Sequence, residues 1–339
     1  MPQIIIIEDS SRYDMGGGQR VTLDAINCLS LNKENKVSLF DLGSGPTFKA
    51  KIILSKIECK FFDISGILSF FANLISVINE IVDSIDDKSI FFIYATTKKA
   101  LIVSVAIKFF HKGAIIVFHQ HSLLGKYFEW LKRFAQCIIL PGEIKDSRCK
   151  KTIIIPNRIN ILGSESNHKS NYLKDITIGF IGNLTTKKGF DIFLDVCNSV
   201  DVQAIIAGSG ALESRIPSKN NINFLGYVNE EQKIFFYREI DILIFPSIIE
   251  ETFSLVCFEA MFNHIPIVCF DVGYPSIIVD NYNTGVVSKS MTVESLMLSI
   301  QKCTKNRIEL SNNCSKVIKD FNNDAFCTLL SNVFKVKIK

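Results

Sequence analysis

The chain has 339 residues, of which 47% are hydrophobic and 21% charged, with a formal net charge of +4. That length exceeds one ordinary core and suits two domains of roughly 150 residues each, and the apolar share excludes a largely disordered chain. The ten cysteines show no CxxC or CxC spacing, which argues against a zinc site; most lie inside apolar runs such as "VCFEAM" and "IVCFDV", and they read as buried thiols of a reducing cytosol.

The N-terminus, "MPQIIIIEDSS", has no basic leader and only a short apolar run. It reads as a strand and not as a signal peptide, which sets a cytoplasmic expectation. The strand leads into "EDSSRYDMGGGQR", where Gly16, Gly17 and Gly18 precede a helix beginning near Gln19. Consecutive glycines let a backbone approach a ligand closely, and a helix N-terminus favours an anion; a plain turn is the other reading. The longest weakly charged stretch, Ile64 to Val82, repeats apolar residues at helical spacing (Ile64, Leu68, Phe71, Leu74, Ile78) and predicts a core-facing helix, not a membrane span.

From Lys98 to Lys151 eleven basic residues face three acidic ones, a surplus of eight, so the rest of the chain is at −4 against the total of +4. Within this block "GKYFEWLKRFA" mixes Lys126, Lys132 and Arg133 with Tyr127, Phe128, Trp130 and Leu131. Such a basic, aromatic stretch can dock on an anionic bilayer. It can equally be a surface helix that buries Phe128, Leu131 and Ala135.

Along the whole chain short apolar runs alternate with helical patterns. The strand candidates are "QIIIIED", "KVSLFDL", "SIFFIYAT", "AIIVFHQ", "QCIILPG" and "KTIIIPN", then "ITIGFIGN", "VQAIIAG", "INFLGYV", "IDILIFPS", "IPIVCFDV" and "TGVVSK". Continuous Ile/Val/Phe runs are the mark of parallel strands buried on both faces. The series restarts after a polar linker between about 157 and 174. Repeated βαβ units on either side predict an α/β chain of two Rossmann-like, doubly wound parallel-sheet domains, with ligands at the C-terminal ends of the strands.

Two motifs fall at such ends. In "GFIGNLTTKKGFD" a strand stops at Ile181 and passes through Gly182, Asn183, Lys187, Lys188 and Gly189 into a helix from Phe190; a lysine there suits a phosphate. In "PSIIEETFSLVCFEAM" a loop bearing Glu251 leads to Ser254, a side chain suited to capping a helix that runs through Met261. The amides from Phe253 to Val256 would then point at an anion. Glu259, within the helix and flanked by Phe258, Ala260 and Met261, would be partly buried, would need a partner, and could take both hydroxyls of a ribose.

Together these residues resemble the retaining glycosyltransferases of family 4, which have the GT-B fold. The stretch from Glu251 to Met261 resembles the family's Glu, seven residues, Glu, Ala-Met signature, and "GNLTTKKGFD" its Gly-Arg-Leu…Lys-Gly element. "IIIPNRIN" is similar to its Ile-Pro-Asn segment, "MGGGQR" to its N-terminal glycine loop and "IVFHQH" to the strand that ends in its active-site histidine. The resemblance implies an acceptor-binding domain over 1–160, a donor domain over 161–315 and a helical segment, 316–339, that crosses back to the first domain.

It also implies residue roles. Lys188 would contact the donor diphosphate, Glu259 the ribose, and Glu251 the hydroxyls of the transferred sugar. The backbone of Phe253, Ser254 and Leu255, with Val256, would cradle phosphate or sugar. His119 would line the sugar site, and Gly16 and Gly17 would face the diphosphate and the acceptor. Asn183 stands where the family has arginine, and Lys187 could supply the missing charge; Ser254 and Tyr274 stand where it has glycine. The expected reaction is transfer of a sugar, with retained configuration, from a nucleotide-diphosphate donor to a lipid-linked or surface-polysaccharide acceptor. No metal or cofactor and no nucleic acid is called for. The expected place is the cytoplasm, with association with the inner face of the cytoplasmic membrane as a further option. A non-catalytic nucleotide-sugar-binding subunit and a nucleotide-sugar epimerase are the rival readings.

Overall fold

A computed structural model of the chain describes residues 3–10, 17–43, 57–62, 64, 67–86, 91–120, 130–142, 151–159, 176–200, 202–321 and 323–335. The chain forms two compact units, Met1–Arg158 with Asn323–Lys339, and Ile159–Asn322.

The first unit is built on a seven-stranded sheet: β1 (Gln3–Glu8), β2 (Lys36–Asp41), β3 (Glu58–Phe61), β4 (Phe91–Ala95), β5 (Ala114–His119), β6 (Cys137–Leu140) and β7 (Thr152–Ile154). The order is β3-β2-β1-β4-β5-β6-β7 and every pairing is parallel. Between the strands run α1 (Gly17–Leu31), α2 (Ile67–Asp83) and α3 (Lys98–Phe110). Successive β1 side chains serve opposite faces: Ile5 and Ile7 join the core with α2 and α3, and Ile4 and Ile6 join the core with α1. This is why the run is apolar at every position. Gly17 and Gly18 form the first turn of α1, two residues earlier than expected. The buried side of α2 carries Phe70, Val77, Ile78, Ile81 and Val82, while Phe71 is 59% exposed. Of the expected stripe, Ile64 and Ile78 are buried and Leu74 packs against the same core, while at Phe71 the neighbouring Phe70 takes the core position instead.

The second unit carries β8 (Thr177–Ile181), β9 (Gln203–Ala207), β10 (Ile222–Phe224), β11 (Ile242–Phe245), β12 (Ile267–Phe270) and β13 (Gly285–Ser288). Its order is β10-β9-β8-β11-β12-β13, again parallel throughout. The helices are α4 (Phe190–Ser199), α5 (Glu230–Glu239), α6 (Leu255–Phe262), α7 (Gly273–Tyr282), α8 (Val293–Lys305) and α9 (Arg307–Asp320). Phe180, Ile244 and Val268 pack with α4 and α8 on one face; Leu243, Ile267 and Cys269 pack with α6, α7 and α9 on the other. The strand order reverses direction between β8 and β11. In doubly wound sheets the strand C-termini at such a reversal are where ligands bind.

The last helix, α10 (Asn323–Lys335), belongs to the first unit. It puts Phe326, Leu330, Val333 and Phe334 into the core that holds Val21, Ala25 and Leu29 of α1. Cys327 forms a disulfide with Cys28 of α1 across a sequence separation of 299. This corrects the reading of the cysteines as free thiols: helix packing juxtaposes two cysteines that no local spacing connects. Among the described residues Cys137, Cys197, Cys257, Cys269, Cys303 and Cys314 form no disulfide, and Cys149 lies outside the described residues. Among the described residues no helix is long and apolar enough to cross a membrane.

Candidate functional site

The candidate site of the second unit is assembled from the loops that leave β8 and β11. After β8, Gly182 at φ 149° turns the chain, and Leu184 N–H donates to Ser209 O at 3.0 Å. Thr186–Lys188 form one 3-10 turn that ends on Gly189 at φ 67°. A Cβ at Gly189 would stand 1.9 Å from Pro246 O, so only glycine permits this close approach. Ile248 N–H donates to Lys187 O at 3.1 Å. The lysine turn and the β11 loop are thus locked to each other.

That locking places the Lys188 Nζ 2.6 Å from Glu251 Oε1, with side chains 28% and 16% exposed. A charge-assisted hydrogen bond of this length fixes both long side chains in one geometry. Glu251 is also held from behind, because Tyr274 N–H donates to its carbonyl at 2.9 Å. A Cβ at Gly273, itself at φ 70°, would lie 2.6 Å from Glu251 N. Asn183 and Lys187 are exposed on the same turn.

Beyond Glu251 the chain dips inward. Phe253 is 3% exposed, and its ring stacks on Phe258 at 4.0 Å and on Tyr274 at 6.2 Å. Tyr274, which departs from the family pattern, is therefore a core residue packed under the loop. Ser254 occupies the N-cap position of α6 at φ 69°, ψ 92°, but its side chain makes no capping bond. This corrects the expected capping role: the turn needs a backbone conformation that suits glycine, and the Ser254 side chain meets that of Cys257 instead of a helix amide. The amides of Leu255 and Val256 open α6 and, as at any helix start, have no intrahelical acceptor.

Glu259 sits inside α6 and is 1% exposed. Its burial is compensated by α5. Tyr237 Oη donates to Glu259 Oε2 at 3.0 Å, and Lys233 Nζ lies 3.3 and 3.4 Å from the two carboxylate oxygens. Lys233 also reaches Glu230 at 3.3 Å. Burial, then the neighbouring Glu259 charge, push the Tyr237 hydroxyl well above its ordinary value, so it stays a donor throughout the usable pH range. Neither Lys233 nor Tyr237 was anticipated from the sequence. The available signal is their i, i+4 spacing on a helix that opens with a capping box of Asn229 and Gln232, which puts both on one face.

The remaining expected residues lie in the first unit. His119 ends β5, is fully buried, and its Nδ1 is hydrogen bonded to the Tyr94 hydroxyl. Gly17 opens α1, and Gly16 lies outside the described residues. At the same end of the first sheet stands a second polar cluster. Glu8, 1% exposed, accepts from Thr96 at 2.7 Å, from Asp9 N–H at 3.0 Å and from Thr22. Asp41 accepts from Ser10 N–H at 2.9 Å, Ser10 Oγ at 2.6 Å and Gly43 N–H at 3.0 Å. Burial raises the Glu8 carboxyl above its ordinary 4.5, against the opposing effect of the three hydrogen bonds. Among the described residues no group of three or more His, Cys, Asp or Glu is arranged to hold a metal ion.

Residues 164–321 match the family model of glycosyl transferases group 1. An uncharacterized glycosyltransferase of Methanocaldococcus jannaschii is 26% identical over 193 residues, covering 52% of this chain and 53% of that protein. An uncharacterized 41.2 kDa protein in the cps region of Klebsiella pneumoniae is 23% identical over 216 residues, covering 60% and 56% of the two chains. The chain thus spans little more than half the length of these relatives. In fold it is similar to Anabaena HepE, solved in complex with UDP, with a TM-score of 0.79 at 19% identity over 98% of this chain and 99% of that one; HepE is also known in complex with UDP-glucose. The two parallel-sheet α/β units have the GT-B fold.

Proposed function

We propose that the chain is a glycosyltransferase that takes a sugar from a nucleotide-diphosphate donor. The observation that carries this reading is the Lys188–Glu251 pair, 2.6 Å apart in the loops that leave β8 and β11, beside the helix that holds the buried Glu259. Departure of a nucleoside diphosphate leaves a new negative charge on phosphate. Preorganised donors placed where that charge develops lower the barrier, and Lys188, the exposed Lys187 and the opening amides of α6 are donors of this kind. Glu251 would share the Lys188 ammonium with the diphosphate while accepting from hydroxyls of the transferred sugar. Glu259, oriented by Tyr237 and Lys233, would accept from the ribose hydroxyls. Glu251 is already committed to Lys188, which favours a positioning role over a nucleophilic one and accords with a front-face reaction that retains configuration.

A lipid-linked or surface-polysaccharide acceptor of bacterial type is supported by the family resemblance and by the likeness to a protein of a cps region. His119 and the Gly16–Gly17 segment would serve the sugar and acceptor side. The experiment is a thermal-shift screen against UDP, GDP, ADP and CMP, followed by transfer of radiolabelled sugar in a membrane fraction. A specific ligand raises the melting midpoint by mass action. Stabilisation by a nucleoside diphosphate that is lost in Glu259→Ala is the expected result, and no response to any nucleotide would refute the reading.

A second reading, a nucleotide-sugar-binding subunit without turnover, is favoured by Asn183: it is exposed on the phosphate-side turn and brings no charge where the family has arginine. Nucleotide binding with no transfer to any acceptor would select it.

A further inference from the structure

The third helix of the first unit ends in two phenylalanines that its core stripe does not use. Ala100, Leu101, Val103, Ser104, Val105 and Ile107 of α3 are buried, whereas Phe109 and Phe110 are 69% and 77% exposed. Side chains of this size strongly favour leaving water. Phe109 is not isolated. Its ring centroid lies 5.5 Å from that of Phe134, which lies 5.7 Å from that of Trp130, and Trp130 is 51% exposed. The end of α3 and the 3-10 turn Trp130–Phe134 therefore share an aromatic surface.

Its surroundings are positively charged. Lys112, in the turn after α3, and Arg133, between the two rings of the 3-10 turn, are exposed. Lys151 is also exposed, and its Nζ donates to Ala135 O at 3.3 Å, one residue after Phe134. Lys108 is bonded to Ala114 O at 2.6 Å, and burial followed by the nearby Lys151 charge lowers its pKa, so these cations crowd one another. From Lys98 to Lys151 the sequence contains eleven basic residues and three acidic ones, Glu129, Glu143 and Asp146, and these three lie outside the described residues. Exposed aromatic rings rimmed by cations match a bilayer interface with anionic headgroups: rings settle at the headgroup–acyl boundary while the cations bind phosphate.

We propose that Phe109, Phe110, Trp130 and Phe134, rimmed by Lys112, Arg133 and Lys151, dock the first unit on the surface of a membrane that carries anionic lipid. This docking does not depend on which reaction the second unit performs.

Trp130 is the single tryptophan of the chain, so its emission reports this surface alone. The full chain is mixed with vesicles of phosphatidylcholine, with or without phosphatidylglycerol. Expected are co-sedimentation with the anionic vesicles only, a blue shift of Trp130 emission, quenching by brominated lipid, and weakening by salt. Phe109→Ser with Phe110→Ser, and separately Lys112→Glu with Arg133→Glu, should each weaken binding about tenfold or more. All four positions are exposed, and an unchanged thermal midpoint certifies the fold of each variant. The same variants should keep their response to nucleotide, which reads the second unit separately. Absence of vesicle binding overturns the proposal, as does binding that leaves Trp130 emission unchanged. A lipid-free emission shift that grows with protein concentration overturns it too, because it assigns the surface to a second copy of the chain.

Discussion

The Tyr237 hydroxyl donates to Glu259 Oε2 at 3.0 Å, so a helix that carries none of the signature residues orients the carboxylate of one that does. Tyr237→Phe removes a donor from a carboxylate that is 1% exposed and should cost about 1 kcal/mol in urea denaturation. Lys233→Met leaves the same carboxylate without its cation and should cost about 2 kcal/mol. The two losses should not add, because both variants act on Glu259; a double-mutant cycle that returns strict additivity would disprove the shared role. Under the proposed sugar transfer both changes should raise the donor KM more than they lower kcat, which separates holding the donor from the reaction itself.

For Lys188 the expectation is reversed. Lys188→Ala should lower kcat about a hundredfold, in line with loss of one preorganised donor at a developing oxyanion, and Glu251→Gln should affect the sugar more than the nucleotide. Because the pair is 28% and 16% exposed, neither change should cost more than about 1 kcal/mol of stability. Single-turnover kinetics and isothermal titration with nucleoside diphosphate separate these effects; equal losses of nucleotide affinity and rate would contradict the assignment.

Ser254 holds φ 69° with no capping bond in return. Ser254→Gly should therefore raise stability by about 1 kcal/mol, visible as a higher melting midpoint. Gly273→Ala should do the opposite. Its Cβ would press on the Glu251 backbone at 2.6 Å and its φ is 70°, so both stability and transfer should fall.

Glu8 gives the first unit a pH dependence. Its carboxyl is raised above 4.5 in the folded chain, so between the unfolded and folded values the folded state holds a proton that the unfolded state has lost. Stability is then greatest below 4.5 as far as this group is concerned, and declines as pH rises through the folded value. Asp9 and Asp24 are also raised from 3.8 by burial and act with the same sign. Glu8→Gln should remove its share of the slope, measured as the pH profile of the urea midpoint; an unchanged profile would show that Glu8 does not titrate in that window.

The sequence exposed the strands far better than the contacts. All twelve apolar runs named at the outset are strands, because parallel strands covered on both faces must be apolar at every position. The strand that escaped, β3, reads "ECKF" and lies at the sheet edge, where its side chains are half-buried or exposed. Lys188 and Glu251 were legible as motif residues, but their pairing joins positions 63 apart and follows from the β8/β11 adjacency, which periodicity does not encode. Lys233 was hidden in the most polar helix of the second unit, among Glu230, Glu231 and Gln232. In α2 the stripe was legible at Ile64, Leu74 and Ile78, but with two adjacent phenylalanines the pattern alone did not select which of Phe70 and Phe71 is buried.

The contribution of α10 to the first unit orders the birth of the protein. As the chain leaves the ribosome, the second unit, a continuous segment from Ile159 to Asn322, is complete before Phe326, Leu330, Val333 and Phe334 exist to cover α1. The segment that begins first is thus the one that matures last. Until then Val21, Ala25 and Leu29 lack part of their cover, and that face of the nascent chain stays open to solvent.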